Sequence, residues 1–255
     1  MPDNQHLTVL IVGATGSVGR HVVSEVVRQG HTARALVRDA SRAGRLDAAA
    51  QVVVGSLKDV EDLRGALDGV DAVVFTHGAS WGSADAEAVD YGAVANVLRA
   101  LDGRRIRIAL MTSIGVTGRA ATHDWKRRGE RLVRASGNPY TIVRPGWFDY
   151  NDADQLQNVF LQGDRRKAGN PSDGVIARAQ IARVLVSSLT SEAADHTTLE
   201  LVAERGPAQT DLEPVFAGLD KDGVDSVDGV RDEQNQPFDR EPASVLADLR
   251  DLAHA

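Results

Sequence analysis

The chain of 255 residues contains no cysteine, which excludes a disulfide framework, a thiolate nucleophile and a cysteine-bound zinc. An unstapled chain of this size fits a reducing compartment, so a cytoplasmic location is expected. Long hydrophobic runs are also missing. The first residues, Met1 to His6, are polar, and the longest apolar stretches are strand-length segments such as Val70 to Phe75. No membrane span or export leader is expected from such a pattern. The 42% hydrophobic content is nonetheless enough for a sizeable core, which excludes disorder of the whole chain.

A basic excess is absent too. The formal charge of −7 is unevenly spread: from Thr210 onward twelve acids face four bases, so the tail carries −8 and the remainder +1. A polyanion-binding domain usually shows the opposite balance, and nucleic acid is not an expected partner. The clusters Arg104, Arg105, Arg107 and Lys126, Arg127, Arg128 are read as solvated faces, the usual fate of charge runs.

Leu7 to Val12 is a β-branched apolar run ending at Gly13, and Ser17 to Gln29 then places Val18, Val22 and Val26 at helical spacing. The alternation continues. Strands are predicted at Thr32 to Val37, Val52 to Val54, Ala72 to Phe75, Ile106 to Met111, Thr141 to Val143 and Thr198 to Val202. Helices are predicted at Ser41 to Leu46, Lys58 to Leu67, Ala84 to Leu101, Trp125 to Ser136 and Gln180 to Thr190. Strands separated by helix-length crossovers describe a doubly wound parallel sheet, the Rossmann-type α/β class. Residues 1–205 are expected to form one domain, with 146–174 a polar excursion on the substrate side. Residues 206–255, rich in Asp, Gly and Pro, are expected to be an acidic, partly ordered appendage carrying short helices at Asp211 to Gly218 and Ala243 to Ala253.

Between the first strand and first helix lies Gly13-Ala14-Thr15-Gly16-Ser17-Val18-Gly19. Glycines there permit a tight turn, close approach of backbone to a pyrophosphate, and close packing of helix on sheet. The context of strand before and helix after makes this a dinucleotide site. At the end of the second strand, where an acid would hydrogen-bond a ribose 2′-hydroxyl, stands Arg38, suited to a 2′-phosphate. Asp39 follows, but its side chain should point elsewhere. NADP is therefore expected in preference to NAD, with Ser56 and Leu57 edging the adenine.

The segments Gly13 to Gly19, Ala35-Leu36-Val37-Arg38, Gly55-Ser56-Leu57, Val89-Asp90-Tyr91-Gly92, Thr112-Ser113-Ile114-Gly115, Tyr140 to Gly146 and Ile176-Ala177-Arg178 together resemble an atypical short-chain dehydrogenase/reductase. The subgroup is that of NAD(P)-binding proteins similar to biliverdin reductase B and the NmrA-like proteins. The likeness runs from about Leu7 to Val202. It implies a bound NAD(P) and a substrate pocket at the carboxyl ends of the strands. The cofactor contacts expected are Gly13, Thr15, Gly16, Ser17, Val18, Gly19, Arg38, Ser56, Leu57, His77, Gly78, Thr112, Lys126, Pro145 and Gly146.

In the wider family a Ser orients the substrate carbonyl, a Tyr protonates it, and a Lys four residues on holds the nicotinamide ribose. The resemblance puts Ser113 and Lys126 in the first and last roles and Thr122 at the Tyr position. An aliphatic hydroxyl cannot replace a phenol as an acid near neutral pH. His123, beside Thr122, and His77, ending the fourth strand, are the alternative proton donors. Trp81, Trp125, Trp147 and Phe148 are expected around the pocket. No metal is expected.

Three functions fit these residues. The first is an NADPH-dependent reductase delivering hydride to a flat conjugated small molecule such as a quinone, flavin or tetrapyrrole, which stabilises its own negative charge. The second is a non-catalytic NADP-binding sensor. The third, a nucleotide-sugar epimerase or dehydratase, is disfavoured by Thr122 and by the short segment between Gly146 and Thr198.

Overall fold

The computed structural model describes residues 6–80 and 83–253. Its centre is an eight-stranded sheet. β1 (Thr8–Val12), β2 (Thr32–Val37), β3 (Gln51–Val54), β4 (Ala72–Phe75), β5 (Arg107–Met111), β6 (Tyr140–Pro145), β8 (Gln157–Leu161) and β10 (Thr197–Glu204) lie in the order β3-β2-β1-β4-β5-β6-β10-β8. All neighbours are parallel except β8, which runs antiparallel to β10 with Leu201 opposite Phe160. Two-residue strands β7 (Trp147–Phe148) and β9 (Val175–Ile176) pair separately.

The alternation of side chains along β1 divides the core. Val9 and Ile11 join one cluster with Val22, Val23 and Val26 of α1 (Gly19–Arg28) and Ile181, Val184 and Leu185 of α5 (Arg178–Ser187). Leu10 and Val12 join the other. It holds Leu63 and Leu67 of α2 (Val60–Leu67), Val94 and Leu98 of α3 (Gly92–Leu101), and Leu132 of α4 (Ala121–Ala135). Both faces of the sheet are thus covered, which is why its strands read as unbroken apolar runs. Chain order reverses between β2 and β4 on either side of β1, and this switch point opens a crevice at the carboxyl ends of the strands. Among the described residues no helix is long and apolar enough to cross a membrane.

The structure departs from the sequence reading in four places. β8 lies inside the expected excursion. α3 is preceded by a π-helical turn, Glu87–Tyr91. α4 begins at Ala121, not Trp125, and so lifts Thr122 and His123 onto its first turn. The tail is built into the molecule. Its segments α6 (Glu213–Phe216) and α7 (Ala243–Ala253) supply Phe216 to one core cluster and Val245 and Leu249 to the other.

The tail also overturns the solvated reading of the second basic cluster. Arg127, Arg131 and Arg134 lie along one side of α4 and are buried with Arg128 and Arg144. Asp228 accepts from Arg127 Nε (3.1 Å) and Arg131 Nη2 (2.9 Å). Glu241 accepts from Arg128 Nε (2.5 Å) and Arg131 Nη1 (2.6 Å). Asp232 takes a forked pair of bonds from Arg144, both 2.7 Å, and Glu130 takes a second pair, 3.0 and 2.6 Å. In the first cluster Arg107 is also committed, donating to the carbonyls of Ser188 and Ser191.

Candidate functional site

The turn after β1 is wound against the end of β4. Gly13 has φ +86°, and a Cβ there would lie 2.7 Å from the His77 amide nitrogen. Gly16 N donates to Gly13 O at 2.9 Å, and a Cβ on Gly19 would collide with that same carbonyl. Thr76 Oγ1 braces the turn through Val12 O (3.1 Å) and Gly13 O (3.3 Å). Among the described residues no backbone carbonyl claims the amides of Thr15, Ser17 or Val18. They stand at the positive end of α1, whose first turn, Gly19 to Val22, carries no carboxylate to neutralise it.

A groove of about 1110 Å³ runs from this turn over the ends of β2, β3 and β4. It is lined by nine of the expected cofactor contacts: Gly13, Thr15, Gly16, Ser17, Arg38, Ser56, Leu57, His77 and Gly78. Val18 is buried, and Gly19 packs against Gly13 under the turn. Arg38 is exposed and makes no side-chain bond among the described residues. Asp39 is spent on a cap: its carboxylate accepts from Ser41 N (2.9 Å) at the head of the 3₁₀ helix Ala40–Arg45, and that amide holds it below the ordinary carboxylate range. The loop after β3 is fixed by Asp62 Oδ2, which accepts from Ser56 N (2.9 Å), and by Asn96, which donates to Leu57 O (2.8 Å). The sequence reading missed Arg20, Arg42, Arg45 and Lys58, which add positive charge around the groove. Arg42 and Arg45, a few residues after Arg38, were the available signal.

Toward the other end of the groove, Lys126 Nζ donates to Asp90 Oδ1 at 2.6 Å. A Cβ on Gly78 would stand 3.2 Å from that Nζ, so the groove wall and the lysine meet at this glycine. His77 Nδ1 and Ser113 Oγ are buried and have no partner among the described residues. Burial, and then the Lys126 charge, depress the His77 imidazole to about 4, so it is neutral at physiological pH. This weakens His77 as the proton donor. His123 Nδ1 bonds Gly118 O at 3.2 Å, beside the loop that follows Ser113. Asp164 clamps that loop, accepting from Gly115 N (2.6 Å) and Thr117 N (2.7 Å).

Not every expected contact lines the groove: Thr112, Lys126, Pro145 and Gly146 do not. The buried Thr112 hydroxyl donates to Glu130 Oε1 (2.7 Å) and so serves the arginine network. Pro145 closes β6. Gly146 answers to packing, since a Cβ there would lie 2.5 Å from Gly174 O. Trp125 packs at a tilt against Tyr91, centroids 5.6 Å apart, with the Arg128 guanidinium 4.4 Å from its ring, joining α4 to the turn before α3. Trp147 and Tyr150 meet edge to face at 6.1 Å on the substrate-side excursion, both exposed, and Phe148 lies under Arg178. Trp81 lies outside the described residues.

Fold, glycine turn and groove define a dinucleotide-binding protein of the Rossmann type. The chain belongs to the NAD(P)H-binding family, whose model matches residues 13–192. It is 29% identical over 229 residues to an uncharacterized chloroplastic protein of Arabidopsis thaliana, covering 78% of this chain and 70% of the other. It is 30% identical over 202 residues to the NAD(P)H azoreductase of Xenophilus azovorans, covering 71% of this chain and 63% of the azoreductase. Among solved structures, a candidate NAD-dependent epimerase/dehydratase from Bacillus halodurans superposes with TM-score 0.68 at 22% identity, over 83% of this chain and 99% of that one. The anaerobilin reductase ChuY of Escherichia coli gives 0.61 at 21% identity, over 79% and 100%. A short-chain dehydrogenase/reductase of Veillonella parvula in complex with NADP gives 0.59 at 16%, over 80% and 98%.

Proposed function

We propose that this chain is an NADPH-dependent reductase whose acceptor is a flat, conjugated small molecule of the quinone, flavin, azo or tetrapyrrole kind. The observation that carries the choice of acceptor is that, among the described residues, no phenol stands one helical turn before Lys126. Thr122 sits one helical turn before Lys126 and offers only an alcohol. No tyrosine substitutes for it from within the core. Tyr91 donates to Asp248 (2.6 Å) and Tyr140 to Asp222 (3.0 Å), and burial followed by these carboxylates raises both phenols. For Tyr140, the Arg134 charge opposes the rise without cancelling it. Tyr150 is exposed on the excursion.

The reduced nicotinamide supplies a hydride, and the acceptor's own conjugation carries the charge that results. Water or His123 then supplies the proton. Preference for NADPH rests on Arg38, unpaired at the groove, with Arg42 and Arg45 close behind and Asp39 withdrawn into its cap. The exposed Trp147 and Tyr150 suit a planar acceptor. The azoreductase and anaerobilin reductase relatives support the same class.

The test is to incubate the protein with NADPH and quinones, flavins, azo dyes, a linear tetrapyrrole and simple aldehydes, following the absorbance of reduced nicotinamide. Oxidation with the conjugated acceptors and not the aldehydes is expected. Binding of NADPH with turnover of none would favour the second reading, a non-catalytic NADP sensor, which Thr122 also permits.

A further inference from the structure

Asp90 belongs to a motif quoted for its family likeness, yet no role attaches to it in the site as described. It lies in the π-helical turn Glu87–Tyr91, is buried, and is anchored from three directions. Its Oδ1 accepts from Lys126 Nζ (2.6 Å) and from Ala79 N (3.1 Å). Its carbonyl oxygen packs so closely on α4 that a Cβ at Gly129 would come within 2.9 Å of it. Glycine at that position lets the two elements touch. The remaining oxygen, Oδ2, is buried with no partner among the described residues.

A buried carboxylate oxygen without a donor carries an uncompensated desolvation cost. Its surroundings say what would satisfy it. A Cβ on Gly78 would approach both Lys126 Nζ (3.2 Å) and Asp90 Oδ1 (3.6 Å), so at Gly78 only bare backbone stands between the ion pair and the groove. The pair, a fixed ammonium donor beside a fixed carboxylate acceptor, therefore stands directly behind the Gly78 wall of the groove. Two adjacent hydroxyl groups, each able to donate and accept, match that combination; a phosphate would match the lysine and be repelled by the aspartate.

Building on the dinucleotide reading above, we propose that Asp90 is a cofactor-binding residue. Its Oδ2 accepts a hydroxyl of the ribose that bears the nicotinamide, while its Oδ1 holds Lys126 toward the same sugar.

Binding titrations test this without any acceptor substrate. Three probes are used: NADPH; adenosine 2′,5′-bisphosphate, which lacks the nicotinamide and its ribose; and the 3-acetylpyridine analogue of NADP, which keeps the ribose hydroxyls but has no amide N–H. Asp90→Ala should weaken NADPH and the analogue by about tenfold or more, the size of one hydrogen bond to a charged group, and leave the bisphosphate within about twofold. Asp90→Asn, which preserves the shape, should fall between wild type and Asp90→Ala and guards against a variant that fails to fold. Equal weakening of all three probes in Asp90→Asn would reduce Asp90 to a structural residue. Unchanged NADPH affinity would overturn the proposal, and loss of NADPH with the analogue spared would move the contact to the carboxamide. A wild-type chain that binds none of the probes would remove the dinucleotide reading itself, whereas the other failures leave it standing.

Discussion

Replacing Arg144 by Met should be among the most destabilising single changes in this protein. Arg144 is fully buried, and its four charge-assisted bonds to Glu130 and Asp232 are supplemented by Glu200 at 3.7 Å. Methionine keeps much of the volume, so the loss is electrostatic: two or three carboxylates are left buried around an apolar chain. Burial alone would raise Glu130; the Arg144 charge and hydrogen bonds reverse this and hold it at about 2. Without the arginine, the least costly response is for Glu130 to take up a proton. Starting from its ordinary value of 4.5, neutralisation at pH 7 costs about 3.4 kcal/mol. Arg134, 3.3 Å from Glu130, offsets part of this, and Asp232 adds to it. The expected loss is about 3–5 kcal/mol, in line with breaking a buried pair from one side. Urea denaturation followed by circular dichroism measures it. Because protonation becomes easier in acid, the deficit against wild type should shrink on going from pH 7.5 to pH 5. A loss below about 1 kcal/mol, or the same deficit at both pH values, would refute the reasoning.

Arg38→Ala should weaken NADPH about tenfold or more and leave NADH nearly unchanged, as read by calorimetric titration; equal losses would make the arginine merely structural. Glu200 is pushed up to about 7, chiefly by burial and further by Asp164 and Asp232 against the opposing Arg144 charge. A group raised in the folded state stabilises below its unfolded value and loses that contribution as pH rises through the folded one. The urea midpoint of the wild type should therefore fall between about pH 4.5 and 7 relative to Glu200→Gln, and parallel curves would contradict this assignment. Thr122→Tyr should alter quinone or flavin reduction little; if it instead confers strong ketone reduction on a chain that otherwise reduces nothing, the native protein is a disarmed reductase.

What could be read from the sequence was what short-range pattern controls. The run Leu7 to Val12, the glycine turn and the Val18, Val22, Val26 spacing predicted β1 and α1 closely, and Arg38 lines the groove. β8 was hidden because its register is imposed by β10, some forty residues later, and not by a strong apolar alternation of its own. The early start of α4 was obscured by the polar stretch Ala121 to Asp124, which carries no helical stripe. Asp90 Oδ2 could not be foreseen, since an unpartnered atom is a property of three-dimensional surroundings. The basic run at Arg127 and Arg128 was misread for the same reason: charges look solvated in a sequence when their partners are about a hundred residues away.

Apart from Glu130, the carboxylates of the tail reach the arginines of α4 and β6 across long sequence intervals, from 88 residues for Arg144 and Asp232 to 113 for Arg128 and Glu241. Synthesis runs in one direction, so every nascent copy presents a ridge of cations well before the segment that neutralises it has been made. The late acidic segment, being of the same chain, meets those arginines at high local concentration and without diffusive search. Burial of these arginines with their full set of partners therefore depends on a segment that is made after α4 itself.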